Sequence, residues 1–74
     1  MKIEIRGVEK LSFRERQVVA LKESGYSNDR VAKQLGLSAS TVATLYGRAR
    51  SKGYEVVIVI PAASLGLFGL DEEE

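Results

Sequence analysis

The sequence predicts a mainly α domain: three short helices at about 13–24, 28–35 and 39–52, flanked by an N-terminal strand at 2–6 and a C-terminal strand at 54–60. Three observations predict it. Apolar residues recur at helical spacing through the middle of the chain, a serine stands where each helix should start, and a glycine stands where each should stop. On either side of that stretch the pattern changes to that of strands. At 74 residues the chain is one small domain, and its 45% apolar content is that of a globular protein.

Lys2-Ile3-Glu4-Ile5-Arg6 alternates polar and apolar with period two, the pattern of a half-buried strand, and Gly7 ends it. Ser12 with Glu15 three residues later forms a candidate capping box, followed by Phe13, Val18 and Leu21 at helical spacing, with Val19 and Ala20 beside them. Gly25 is the stop of that helix. Ser27 opens the second helix, Val31, Ala32 and Leu35 are its apolar stripe, and Gly36 closes it. Ser38 opens the third, in which Val42, Leu45, Tyr46 and Ala49 form the buried stripe up to Lys52-Gly53.

From Tyr54 the composition shifts. The run from Glu55 to Ile60 is β-branched and loses its alternation after Glu55, which predicts a strand covered on both faces, and Pro61 stops it. Ala62 to Leu70 is small, apolar and glycine-rich, the composition of a packed loop, and residues 71–74 read as a disordered acidic tail. The domain organisation is therefore a strand segment (1–10), a helical unit (11–53), an apolar C-terminal segment (54–70) and the tail (71–74).

The absence of Cys and His excludes disulfides, Cys/His metal sites and imidazole catalysis. No glycine-rich phosphate loop follows a strand, so an enzyme is not expected, and no cofactor, metal or small-molecule ligand is implied. Met1 is followed by alternating charge rather than an apolar run. The uncharged stretch from Val56 to Leu70 is shorter than the roughly 20 residues that span a bilayer. A soluble, cytoplasmic protein with no membrane partner is the expectation.

The formal net charge of +1 conceals a strong polarity. Residues 11–52 carry eight basic side chains against Glu15, Glu23 and Asp29, a net of +5, whereas residues 53–74 carry five acids and no base. Such asymmetry points to a nucleic-acid-binding part and an acidic appendage.

Spacing within residues 28–47 sharpens that expectation. Two short helices crossing through a tight turn need a small residue where they meet, a turn residue that accepts a left-handed backbone, and apolar residues on their facing sides. Ala32 is the small residue, Gly36 the turn residue, and Val31, Leu35, Leu37, Val42 and Leu45 the apolar set. The pattern is that of a helix-turn-helix with residues 39–52 as its recognition helix.

The run Leu11 to Leu21 resembles the opening helix of LuxR-type domains and of sigma factor region 4. Gly25 to Ser38 resembles their scaffold helix and turn. Thr41-Val42 followed by Arg48-Ala49-Arg50 is similar to sigma region 4 and to the archaeal Tfx-type regulators. The resemblance covers about residues 11–52 and implies a recognition helix laid into the major groove of double-stranded DNA. The chain departs from the LuxR-type pattern in two ways. Ala43 and Thr44 stand where long polar residues usually follow the Thr-Val pair, and Gly47 lies one helical turn beyond.

The candidate phosphate contacts are Arg14, Arg30, Lys33, Arg48, Arg50 and Lys52, with the hydroxyls of Ser27, Ser38 and Thr41. Ala39, Ser40, Ala43, Thr44 and Gly47 form the candidate base-facing surface, small enough to let the helix sit deep and read shape. Val56, Val57, Ile58, Val59 and Ile60 are the candidate dimerisation residues, because an isolated two-stranded ribbon is marginal in water and pairing across a two-fold axis would cover it. The alternative is that residues 56–70 dock on the chain's own helices. The function these features predict is a small transcriptional regulator that binds DNA as a homodimer. A protein-interaction module on the same trihelical fold is the alternative, and steep salt dependence separates the two.

Overall fold

The computed structural model describes residues 2–61, so the predicted loop at 62–70 and the acidic tail at 71–74 lie outside the described residues. Strand β1 (Lys2–Arg6) is followed by helices α1 (Phe13–Glu23), α2 (Asn28–Leu35) and α3 (Ala39–Lys52), and strand β2 (Glu55–Val59) returns to pair with β1. The predicted fold class holds, and every boundary falls within one residue of expectation. A short 3-10 turn at Val8–Lys10, not foreseen from the sequence, links β1 to the helices.

All three helices start as the serines require. The Ser12 Oγ accepts from the Glu15 N–H at 3.1 Å, and the Glu15 carboxylate accepts from the Ser12 N–H at 2.9 Å, completing the capping box. The Ser27 Oγ accepts from the Arg30 N–H, and the Ser38 Oγ from the Thr41 N–H. Each cap contributes about 1 kcal/mol. Gly36 closes α2 at φ +71°, a left-handed backbone that costs other residues about 1–2 kcal/mol. There the Leu37 N–H donates to the Ala32 carbonyl at 2.9 Å and turns the chain into α3.

The core has two parts. In one, Val18, Val31, Ala32 and Val42 bring α1, α2 and α3 together, bordered by Leu21, Tyr26, Leu35, Leu37 and Leu45. In the other, Leu11, Val19 and Ala49 pack with Ile5, Val8 and Tyr54, which seats the base of the ribbon on α1 and α3. Tyr46 touches both. Complete burial of each valine contributes about 1.5–3 kcal/mol. Phe13 departs from the expected stripe and is 74% exposed. It precedes Val18 by five residues, a rotation of about 140° from that buried position.

β1 and β2 form an antiparallel pair with Lys2 opposite Val59, Ile3 opposite Ile58, Glu4 opposite Val57, Ile5 opposite Val56 and Arg6 opposite Glu55. Opposed residues share a face. One face is therefore Ile3, Ile5, Val56 and Ile58, continued by Ile60; the other is Lys2, Glu4, Arg6, Glu55, Val57 and Val59. The expectation that β2 is covered on both faces is not met within the described chain. Val56, Ile58, Val59 and Ile60 are all exposed, Ile58 to 54%. The helices reach the apolar face at Ile5 but leave Ile58 largely open.

Candidate nucleic-acid interface

α3 divides lengthwise. Val42 and Ala49 are buried and Leu45 and Tyr46 half-buried, while Ser40, Ala43, Thr44 and Gly47 are exposed along the other side. Residues three and four apart stack on one helical face, so these four form a continuous strip, joined one turn later by exposed Arg48. Ala39, at the start of the helix, is half-buried. No side chain longer than threonine rises from the strip before Arg48. A Cβ built at Gly47 meets nothing within 4 Å.

A hydroxyl cluster stands at the N-terminus of α3. The Ser38 Oγ lies 2.9 Å from the Thr41 Oγ1 and 3.3 Å from the Ser40 Oγ. Ser27 and Ser38 both use their oxygens as helix caps.

The nine predicted phosphate-facing residues are all exposed, but their side chains differ in what already holds them. Lys52 donates to the Glu15 Oε1 at 2.8 Å, tying the C-terminal end of α3 to the start of α1. This bond, followed by the Ser12 N–H, holds the Glu15 carboxyl below its usual range. The Arg50 guanidinium lies 5.7 Å from the centre of the Tyr46 ring, and that of Arg30 lies 4.6 Å from the Tyr26 ring. Arg14 donates to the Gln17 side chain at 2.9 Å. Among the described residues, Arg48 makes no ion pair and no contact with an aromatic face. Arg30 and Lys33 share one side of α2, one turn apart.

A second polar centre was not legible in the sequence. The Tyr46 hydroxyl donates to the Glu23 Oε2 at 2.8 Å, and the Tyr54 hydroxyl donates to the same oxygen at 2.6 Å. These bonds, the Tyr54 one first, hold the Glu23 carboxyl below its usual range. Burial, reinforced by Glu23, pushes the Tyr54 hydroxyl well above its own. With Arg50 and Gly53 the three side chains line an open polar cleft. Its chemistry is structural: one carboxylate joins α1, α3 and the entry to β2. The partners are 23 and 31 residues from Glu23 along the chain, and neither separation leaves a local signal.

Two crossed helices joined at a left-handed glycine, with the second presenting a small polar strip beside basic side chains, define a helix-turn-helix domain. The family model of sigma-70 region 4 matches residues 5–52, and the chain belongs to that family of DNA-binding domains. Comparison with curated proteins and with solved structures gives no match. Among the described residues, no helix is long and apolar enough to cross a membrane.

Proposed function

We propose that the protein is a cytoplasmic, non-enzymatic transcriptional regulator that binds double-stranded DNA as a homodimer with α3 in the major groove. The observation that carries the reading is the lengthwise division of α3, whose buried side is locked into the core while Ser40, Ala43, Thr44 and Gly47 face outward. Ser40 and Thr44 offer hydroxyls to base edges, and the methyls of Ala43 and Thr44 suit a thymine methyl. Ala39 lies beside them at the helix start.

Arg48, Arg30, Lys33 and Arg14 supply phosphate charge, with Ser27, Ser38 and Thr41 at the helix starts. Arg50 joins them by leaving Tyr46, and Lys52 by exchanging Glu15 for a phosphate. The likeness of residues 11–52 to LuxR-type and Tfx-type regulators supports the same role. Small base-facing side chains give each copy modest specificity, and two copies placed about 34 Å apart, or a multiple of that, multiply it.

Selection of bound duplexes from random sequence tests this reading. The expected product is a palindrome whose binding weakens roughly 10³-fold between about 50 and 200 mM salt. Salt-independent binding, or selection that yields no sequence preference, overturns it. Exchange of Ala43 and Thr44 for longer polar residues is expected to change the selected half-site.

A further inference from the structure

The two edges of the ribbon differ in what they would present to another strand. Lys2, Glu4 and Arg6 alternate along β1, and the Glu4 carboxylate pairs with both Lys2, at 3.4 Å, and Arg6, at 3.3 Å. Charges of this kind are how natural proteins protect an exposed edge. β2 has none after Glu55: Val56, Val57, Ile58, Val59 and Ile60 run uncharged to Pro61. Among the described residues the outer edge of β2 has no strand partner.

We infer that β2 is the homodimerisation edge, pairing antiparallel with β2 of a second copy about a two-fold axis at Ile58. The inference deepens the dimer proposed above and rests on it. The choice of a second copy, rather than some other strand, follows from charge and register. Pairing β1 with itself about Glu4 would set the two Glu4 carboxylates opposite each other and Lys2 opposite Arg6, like charge against like at every polar position. Pairing β2 with itself carries no such cost.

Register follows from the faces. Opposed residues share a face, so the apolar positions 56, 58 and 60 must meet their own kind, which a two-fold axis between residues would prevent. An axis at Ile58 sets Val56 opposite Ile60 and Val57 opposite Val59, using the whole uncharged run. An axis at Val57 would spend Glu55 on Val59 and leave Ile60 unpaired.

The product is a four-stranded sheet in the order β1, β2, β2, β1, past the two-strand size that is marginal in water. Its axis runs perpendicular to the sheet, so both helical bodies stand on the apolar side, where Ile5 already seats one of them. The exposed Ile58 and Ile60 of the two chains then lie between the bodies, and the face that carries Lys2, Glu4, Arg6 and Glu55 with Val57 and Val59 stays turned away from them.

The test uses the full chain with Ile58→Lys and Ile58→Glu, each followed by light scattering after gel filtration and by circular dichroism. Because Ile58 faces its own copy, a single substitution places like charges together, raising the dimer dissociation constant about 100-fold or more. The wild type is expected to be dimeric at micromolar concentration and each variant monomeric with its helical signal retained. An equimolar mixture of the two variants is expected to form a heterodimer. Variants that stay dimeric, or a mixture that stays monomeric, overturn the Ile58 edge while leaving a dimer formed elsewhere intact. A monomeric wild type, the result if residues beyond Pro61 cover β2 in their own chain, overturns the dimer reading and this inference together. Binding of the monomeric variants to a half-site duplex reports on the DNA reading separately.

Discussion

The helical body and the β-ribbon are made from the same kinds of residue and end in opposite conditions. In the body, four valines and Ala49 are sealed almost completely from water, and every helix start is capped. In the ribbon, four of the five β-branched residues from Val56 to Ile60 remain exposed, although they are as apolar as anything in the core. The difference is geometric. Three short helices packed around shared side chains enclose a volume, whereas two strands enclose nothing and need a third surface on their apolar face. The body is complete within one chain, and only the base of the ribbon shares in that completeness.

The largest break is Val42→Asp. It places an unpaired carboxylate where α1, α2 and α3 meet, costs about 3–5 kcal/mol and should abolish the cooperative melt seen by circular dichroism. The contrasting charge in the ribbon, Ile58→Lys, should leave that melt in place.

Acid is expected to loosen both ties that span the molecule. Glu15 and Glu23 are held below their ordinary value of 4.5, so their contribution is fully present above that pH and is lost as pH falls through the lowered values. Melting temperature should fall progressively below about pH 4.5. The double variant Glu15→Gln and Glu23→Gln should be less stable at neutral pH and show a flatter acid limb.

Tyr54→Phe cuts a single tie. It removes one charge-assisted hydrogen bond to Glu23, a loss of about 1.5–2 kcal/mol in denaturant titration. Hydrogen exchange should quicken in β2 more than in α2. Equal quickening in both would show that ribbon and body open as one unit.

The smallest expected effect has two signs. Gly47→Ala should stabilise the body by up to about 1 kcal/mol, since the added methyl meets nothing in the protein. The same methyl should weaken DNA binding if α3 lies close against the groove floor, which a paired melt and anisotropy titration would show.

What was legible in the sequence follows the same division. Ser12 with Glu15, Ser27, Ser38 and Gly36 are local signals, read within a turn of where they act, so the helices emerge within one residue of their boundaries. Alternation in residues 2–6 likewise marked β1. The features that local reading misses depend on distance along the chain or on angle around a helix. Phe13 looked like a core residue because it is apolar and near the stripe, but it points off it. Unbroken apolarity in β2 signals cover on both faces, but the run itself does not say which surface supplies it. Lys52 is legible as an exposed cation at the end of α3, whereas its tie to Glu15, 37 residues away, leaves no local signal.

The lengthwise division of α3 carries one more consequence. No residue of its outward strip belongs to either core cluster, so nothing that holds the fold together is written in the same letters as the surface it displays. Positions 40, 43, 44 and 47 are thus open to change at little cost to folding. A lineage, or a designer, could retune what this domain recognises one substitution at a time and keep a folded protein at every step.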